Sequence, residues 1–231
     1  MEEPSSFDWA GFWDTKSRQA TDFQATGRSV MDVIGFLYLV RECTRALALR
    51  PEDRLLDIGC GTGLLALALA PHVRAVHACD ISAGMVERAR RNLSDLETVS
   101  VSVGTIAETG QADRSFDKAL CYSVIQYLAG EQALGAAFAE IRRVLKPGGR
   151  AFLAANPDLD RKAAYEKVID ENPDPKSREL NRSLLGQTLW LTPARAEELA
   201  RAAGFEARAS VVHPRIWQTF YMYDLTLQRT D

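Results

Sequence analysis

The stretch at residues 55–63, which reads LLDIGCGTG, constrains the fold of this chain more than any other. A continuous apolar run ends in an aspartate, and glycines follow at the alternate positions Gly59, Gly61 and Gly63. An apolar run of this kind is typical of a strand that is buried on both faces of a parallel sheet. Glycines directly after such a strand allow a tight turn and a close approach of the backbone to a ligand. The stretch therefore predicts a buried strand whose carboxyl end meets a ligand.

Strands and helices alternate around and after this stretch. The patterns predict strands at 54–58, 74–80, 98–103, 116–122 and 150–156, with helices at 64–70, from the Ser82 cap to about Asn92, and at 131–146. Such alternation builds a parallel sheet with helices on both of its faces. The sequence therefore predicts an α/β fold with a doubly wound sheet.

The pattern changes on either side of this core. Residues 29–48 have helical spacing and are followed by Pro51, which predicts the end of that helix. A polar region at 157–191 contains one predicted helix, at 160–171, and a further helix at 192–203 ends at Gly204. Two strands at 205–213 and 219–229 are joined by a short link and predict a hairpin, which makes the last strand antiparallel.

These boundaries predict one domain over 1–231 with four parts. We expect a helical cap at 1–50, a ligand-binding core at 54–156 and a C-terminal helix with its hairpin at 192–231. The region 157–191 follows the carboxyl end of a strand, where such folds bind ligands. It is therefore the candidate for a lid that recognises a second ligand.

Composition excludes several classes of protein. The net charge of −3 lacks the basic excess that nucleic-acid binding requires. No apolar run reaches the ~18 residues of a membrane span, and the acidic start MEEPSSFDWAGFW does not resemble a signal peptide. The four cysteines form no CxxC pair and the three histidines are scattered, so no metal site is predicted. We expect a cytoplasmic protein, a monomer or homodimer, with neither a nucleic acid nor a membrane as its partner.

The glycine spacing fits neither of the two common phosphate-binding loops. The dinucleotide fingerprint GxGxxG has Leu64 where its third glycine belongs, and no lysine follows as a P-loop requires. Asp57 stands two residues before the first glycine, where a carboxylate would repel a pyrophosphate but attract an amino group. Asp80, about 20 positions further on, ends the next strand, where an acid binds ribose hydroxyls. A ligand with a ribose, an amine and no phosphate fits this description, and S-adenosylmethionine is such a ligand.

With these residues the chain resembles the class I S-adenosylmethionine-dependent methyltransferases. Five segments carry the resemblance in order: LLDIGCGTG, ACDIS, VGTIAE, SFDKALCYSVIQYL and LKPGGRAFLA. The resemblance implies a Rossmann-like sheet of seven strands in the order 3-2-1-4-5-7-6, with the last strand antiparallel. It also implies an enzyme that uses S-adenosylmethionine and leaves S-adenosylhomocysteine as its product.

The resemblance assigns candidate residues to parts of the cofactor. Asp57 and the backbone near Gly59 and Cys121 would hold the methionine amine, and Asp80 would bind the ribose. Ile81, Thr105 and Ile106 would surround the adenine, although many relatives carry aspartate in place of this threonine. Arg28 would pair with the methionine carboxylate, and Trp13 would close over the site. The full set of predicted cofactor-binding residues is Trp13, Arg28, Asp57, Gly59, Cys60, Gly61, Gly63, Asp80, Ile81, Thr105, Ile106 and Cys121.

The chemistry expected of this family depends mainly on positioning, because the leaving group is neutral. A base is required only where the acceptor must lose a proton. Tyr127 and Asp158 follow predicted strands, His213 ends one, and these three are the candidate catalytic residues. Trp190, Trp217 and Tyr221 either line an acceptor pocket or pack in the core.

The acceptor is expected to be a small molecule that is methylated at oxygen or nitrogen. The NPP[YFW] motif of DNA and glutamine amide methyltransferases is absent after the fourth strand, and 119–129 contains no acid that could bind Mg²⁺. Two alternatives stay open: a methyltransferase for protein or tRNA, and a protein that binds S-adenosylmethionine without catalysis.

Overall fold

The computed structural model describes residues 7–28 and 30–231 and contains one seven-stranded sheet. The strands are β1 Arg54–Ile58, β2 Ala75–Asp80, β3 Val99–Val103, β4 Phe116–Tyr122, β5 Leu145–Pro157, β6 Phe205–Val211 and β7 Met222–Arg229. Their order is β3-β2-β1-β4-β5-β7-β6. The first five strands pair in parallel, and β7 is antiparallel to both β5 and β6. The predicted fold class, strand order and C-terminal hairpin are therefore confirmed.

Helices cover both faces of this sheet. They are α1 Trp9–Lys16, α2 Asp22–Ala25, α3 Val33–Leu47, α4 Leu64–Leu69, α5 Ala83–Asn92, α6 Glu131–Val144, α7 Lys162–Glu171, α8 Pro175–Leu185 and α9 Pro193–Ala202. Successive residues of a strand point to opposite faces. Leu55 accordingly lies in one core cluster with Leu39 of α3 and Leu65 of α4, whereas Leu56 lies in the other with Phe138 of α6. In residues 7–28 and 30–231, no helix is both long and apolar enough to cross a membrane.

Several predicted helix bounds differ from the structure by a few residues. Helix α3, predicted over 29–48, begins at Val33, and residue 29 lies outside the described residues. Two of the differing ends have a local cause. Helix α3 ends at Leu47 because Ala48 adopts a left-handed conformation with φ of 48°, before Pro51 can act. Helix α6 ends at Val144 rather than at 146, and β5 begins at Leu145. A residue before proline disfavours the helical conformation, so Pro147 moves the chain into an extended form early.

The region 157–191 contains two helices rather than the single one predicted. Helix α8 begins at Pro175, and the Asp174 side chain accepts hydrogen bonds from the backbone N–H groups of Lys176 (3.3 Å) and Ser177 (3.0 Å). Proline is favoured at the first helical position, and aspartate just before it caps the helix. Pro175 therefore starts a helix and does not mark a loop. A parallel bridge between Asp158 and Leu191 brings the two ends of the region together.

The N-terminal helix α1 is attached to the start of α5 by polar contacts. Asp14 accepts hydrogen bonds from the hydroxyl of Ser82 and from the Gly84 N–H, the latter at 2.9 Å. Arg88 of α5 pairs with Asp22 at 2.8 Å and donates to the Ser17 carbonyl oxygen at 2.9 Å. These contacts hold the N-terminal segment next to the carboxyl ends of β1 and β2.

Candidate functional site

Two adjoining cavities lie at the carboxyl edge of the sheet, where the strand order reverses between β1 and β4. The first has a volume of about 150 Å³ and is lined by the turns that follow β1 to β4 together with the N-terminal segment. The second has a volume of about 420 Å³ and is lined by the N-terminal segment, α7, α8 and residues near β7. Their common lining residues are Trp9, Trp13, Thr26, Arg28, Ser123 and Tyr127. A crevice at this switch point is the usual ligand site of doubly wound sheets.

The turn after β1 requires glycine at two positions of the first cavity. Gly59 has φ of +72°, and a Cβ there would lie 2.2 Å from Cγ2 of Val124. Gly61 has φ of +56°, and a Cβ there would lie 2.8 Å from Cγ2 of Thr26. Backbone therefore forms this wall, which lets a ligand approach the chain closely. Gly63 lines neither cavity, because Leu93 packs against it: a Cβ at Gly63 would lie 2.8 Å from Cδ1 of Leu93.

Asp80 lines the first cavity with a fixed orientation. Its Oδ2 accepts from the Gly61 N–H at 2.8 Å, and its Oδ1 accepts from the Ser82 N–H at 3.0 Å. Burial raises the pKa of Asp80, whereas these two hydrogen bonds and the Arg28 charge lower it. Each carboxylate oxygen accepts one bond here and can accept another from a ligand hydroxyl.

Asp57 is a buried acid with unused hydrogen-bonding capacity. It is 1% exposed, and its Oδ2 has no partner among the described residues. Burial raises the pKa of Asp57 to about 7, although the Arg28 charge lowers it. Because an unpaired buried carboxylate is costly, a cationic ligand group beside it would be stabilising. Asp57 lines a small extension of about 10 Å³, together with Arg28, Gly59 and Cys60.

Arg28 supplies the opposite charge. Its Cζ lies 4.5 Å from the centroid of the Tyr122 ring, a cation–π contact, and its charge lowers the pKa of both Asp57 and Asp80. Arg28 and Asp57 thus offer one positive and one negative group, which complement the carboxylate and the ammonium group of an amino acid.

The remaining wall of the first cavity is mainly apolar. Ile81, Ile106 and Leu128 line it, and Ile106 is buried. The Thr105 hydroxyl oxygen accepts a hydrogen bond from the Glu108 N–H at 3.0 Å, so part of its capacity is already used within the turn. The apolar side chains with these few polar atoms fit a flat base. Taken with Asp57, Arg28 and Asp80, the cavity has the groups that S-adenosylmethionine would need.

Tyr127 lies at the boundary of the two cavities. It ends a 3₁₀ turn after β4, and its ring centroid is 4.4 Å from that of Trp9 and 5.5 Å from that of Trp13. Burial raises the pKa of Tyr127 to about 12. The phenol is therefore protonated near neutral pH and can donate a hydrogen bond, but it is a poor base.

The other two candidate catalytic residues lie outside both cavities, so their expected position beside a substrate was wrong. His213 stacks on Tyr38 with ring centroids 4.5 Å apart, and its Nε2 is 3.3 Å from Nη2 of Arg41. Asp158 turns back along the chain, where it accepts from the Asp160 N–H at 3.1 Å and lies 3.4 Å from Nε of Arg161.

The cysteines of the predicted site are part of the core. Cys121 is buried in β4, pairs in register with Ile58, and lines none of these cavities. Cys60 is buried beside the small extension that contains Asp57. Burial raises the pKa of both thiols well above its ordinary value, so they remain protonated.

Aromatic side chains dominate the second cavity. Phe12, Tyr165, Trp190, Trp217 and Tyr221 line it beyond the shared boundary. Trp190 and Tyr221 also belong to a core cluster against which Trp217 packs, so these three side chains both line the cavity and pack in the core. Sequence reasoning overlooked several lining residues of the two cavities. They include Trp9, Thr26, Tyr122, Ser123, Val124 and Leu128. Those that directly follow β4 share the sheet edge of Asp57, which is the signal that would have found them.

Comparison with known proteins agrees with this geometry. A family model described as "Methyltransferase domain" matches residues 55–149. A demethylmenaquinone methyltransferase of Clavibacter sepedonicus is 35% identical over 185 residues, which are 74% of this chain and 71% of that protein. An uncharacterized 37.1 kDa protein in a transposon of Streptomyces fradiae is 41% identical over 139 residues, or 54% of this chain. This chain spans half or less of the length of two such relatives: 39% of the Streptomyces protein and 50% of an uncharacterized methyltransferase of Bacillus subtilis.

Solved structures show the same fold. The crystal structure of magnesium protoporphyrin IX methyltransferase from Synechocystis PCC 6803 with bound SAH matches with a TM-score of 0.64 at 20% identity, covering 96% of each chain. The glycine turn, Asp57 and Asp80 lie within the span of the matching domain model. With the Clavibacter relative, this shows that the chain belongs to the class I S-adenosylmethionine-dependent methyltransferases and uses S-adenosylmethionine as its cofactor.

Proposed function

We propose that this methyltransferase transfers the methyl group to an oxygen or nitrogen atom of a small molecule that binds in the second cavity. The observation that carries the proposal is the boundary of six residues that the two cavities share. A cofactor in the first cavity and an acceptor in the second would meet at Tyr127 and the tryptophans beside it. A volume of about 420 Å³ lies within the range of small-molecule sites.

The first cavity would bind S-adenosylmethionine through residues that are already oriented. Asp57 and Arg28 would hold the amino and carboxylate groups of the methionine part, and Asp80 the ribose hydroxyls. Ile81 and Ile106 would pack on the adenine. When bound, S-adenosylmethionine supplies a methyl group on a positively charged sulfur that leaves as a neutral thioether.

The boundary residues would then orient the acceptor and keep water away from it. Trp9 and Trp13 come from α1, whose attachment to α5 holds them beside Tyr127. Tyr127 stays protonated and can donate to an acceptor atom. Positioning by such groups accounts for much of the acceleration that a displacement with a good leaving group needs.

The region 157–191 would supply acceptor specificity. Its helices α7 and α8 and the residues before α9 contribute Tyr165, Ile169, Leu184 and Trp190 to the second cavity and nothing to the first. The name of one relative also supports a small acceptor, since the Clavibacter protein is a demethylmenaquinone methyltransferase.

The test combines binding with turnover. Calorimetry with S-adenosylhomocysteine measures the cofactor site alone. Methyl transfer from labelled S-adenosylmethionine is then measured against separate small-molecule, RNA and protein fractions of a bacterial lysate. Label that enters only the small-molecule fraction supports the proposal, whereas label in RNA or protein contradicts it. Binding without transfer to any fraction would indicate a protein that binds the cofactor without catalysis, or an acceptor missing from that lysate.

A further inference from the structure

The charged side chains that line the second cavity are all positive. Its charged lining residues are Lys16 and Arg28, and no aspartate, glutamate or histidine is among the lining residues that the structure describes. A cationic acceptor would therefore meet two positive charges and no compensating carboxylate. Because opposite charges attract most strongly where water is partly excluded, this wall favours an anion.

Of the two cations, Lys16 is the one left for the acceptor. Arg28 lies close enough to Asp57 and Asp80 to lower the pKa of each, and it also lines the first cavity. Lys16 lines the second cavity only, and within residues 7–28 and 30–231 it forms no ion pair. Its Nζ lies 5.7 Å from the centroid of the Phe12 ring, which also lines this cavity.

The aromatic rings of the second cavity form a connected group. Tyr165 stacks on Tyr221 with centroids 4.3 Å apart and planes 18° apart. Trp190 lies 5.9 Å from Tyr165, and Trp217 lies 5.9 Å from Tyr221. Flat aromatic faces of this kind pack well against a ring of the ligand.

The described lining residues also offer no group that could remove a proton from an alcohol or an ammonium ion. The pKa of Tyr127 is raised to about 12 by burial, and Lys16 and Arg28 are cations. An acceptor that arrives as an anion needs no such base.

From these observations we propose that the acceptor is a ring-bearing carboxylic acid that binds as its carboxylate near Lys16 and is methylated on a carboxylate oxygen. This rests on the proposed function. A lone pair of that oxygen forms the new carbon–oxygen bond while the carbon–sulfur bond breaks. The electron pair of the broken bond stays on sulfur, the two opposite charges cancel, and no proton is moved.

The experiment compares three probes that share one ring system and differ in charge. They are 2-naphthoate, the neutral 2-naphthamide and the cationic 2-naphthylmethylammonium, titrated by calorimetry into protein saturated with S-adenosylhomocysteine. We expect naphthoate to bind most tightly, roughly threefold to tenfold more tightly than the amide, as for a partly exposed ion pair. The preference should fall as salt is raised from 0.05 to 0.5 M, where the Debye length shortens.

Two lysine variants locate the charge. Lys16→Met should abolish the preference for naphthoate and leave the affinity for naphthamide unchanged. Lys176→Met makes the same change on exposed α8, away from the cavity lining, and should leave both affinities unchanged. The affinity of each variant for S-adenosylhomocysteine reports whether it is folded.

Three outcomes would overturn the inference. They are naphthylmethylammonium binding as tightly as naphthoate, no measurable binding of naphthoate, or an unchanged naphthoate preference in the Lys16→Met protein. None of these measurements requires methyl transfer. A protein that prefers naphthoate but transfers label only to RNA or protein in the lysate test would contradict the proposed function, whereas one that methylates a small amine would contradict this inference alone.

Discussion

Replacing Asp57 by asparagine should weaken cofactor binding and at the same time stabilise the ligand-free protein at pH 8. The carboxyl group is 1% exposed, and burial raises its pKa from 3.8 to about 7. A shift of about three pKa units corresponds to about 4 kcal/mol at pH values above 7. An unpaired buried amide costs about 1–3 kcal/mol of this, so we expect a net gain of about 1–3 kcal/mol.

The sign of the pH dependence follows from the direction of this shift. The folded state binds the Asp57 proton more tightly than the unfolded state, so stability is lost as the pH rises from about 4 to about 7. The Asp57→Asn protein should lack this loss. Its free energy of unfolding, measured with urea, should therefore exceed that of the unchanged protein at pH 8 and match it more closely at pH 4.5.

Binding should show the opposite trend. An ammonium group binds the ionised form of Asp57, which is about one tenth of the molecules at pH 6 for a pKa of about 7. The affinity for S-adenosylhomocysteine should thus be roughly tenfold lower at pH 6 than at pH 8. In the Asp57→Asn protein this dependence should vanish, and at pH 8 binding should be about tenfold to 150-fold weaker from the lost charge-assisted bond. An asparagine variant that is less stable at pH 8 and binds with unchanged affinity would refute this account of the buried acid.

Three further changes test the rest of the site. Asp80→Ala should weaken binding of S-adenosylhomocysteine by about 1–3 kcal/mol in calorimetry, and an unchanged affinity would remove this residue from the ribose site. Gly59→Ala should destabilise the fold by about 1–3 kcal/mol, because the new Cβ would lie 2.2 Å from Cγ2 of Val124 and the residue has φ of +72°. Gly135→Ala in α6 is the control: its Cβ would meet no atom within 4 Å, so this change should be neutral or stabilise the fold by about 0.5–1 kcal/mol. Thermal unfolding of the two variants tests this difference. Replacing 162–185 with a flexible linker should spare S-adenosylhomocysteine binding and abolish methyl transfer, and retained transfer would show that this region does not hold the acceptor.

Local patterns predicted the part of the fold that builds the first cavity. Strands β1 and β4 were predicted to the residue, because short segments that are rich in apolar residues and lie between turn residues identify buried strands well. Gly59, Gly61, Asp80 and Ile81 line the first cavity because sequence position at the end of a parallel strand fixes spatial position at one sheet edge.

The sequence-based predictions failed where they depended on the direction of a side chain or on contacts between segments that are distant in the sequence. Asp158 directly follows β5 as expected, but its carboxylate turns back to cap the following 3₁₀ turn. His213 follows β6, which the sheet order places at the outer edge, far from the reversal between β1 and β4. Trp9 and Lys16 line these cavities because of the way α1 is attached to α5, and no local pattern encodes that attachment.

The bridge between Asp158 and Leu191 has a consequence for how this enzyme can change over evolution. Because the backbone leaves and re-enters the sheet edge at neighbouring points, the intervening segment can be lengthened, shortened or exchanged while the register of β5 and β7 stays intact. Doubling the length of such a loop adds only about 0.6 kcal/mol of closure entropy. The part of the fold that lines the first cavity can thus stay unchanged while this segment is replaced. If the acceptor binds against the segment, as proposed above, exchanging this one segment is enough to change the acceptor.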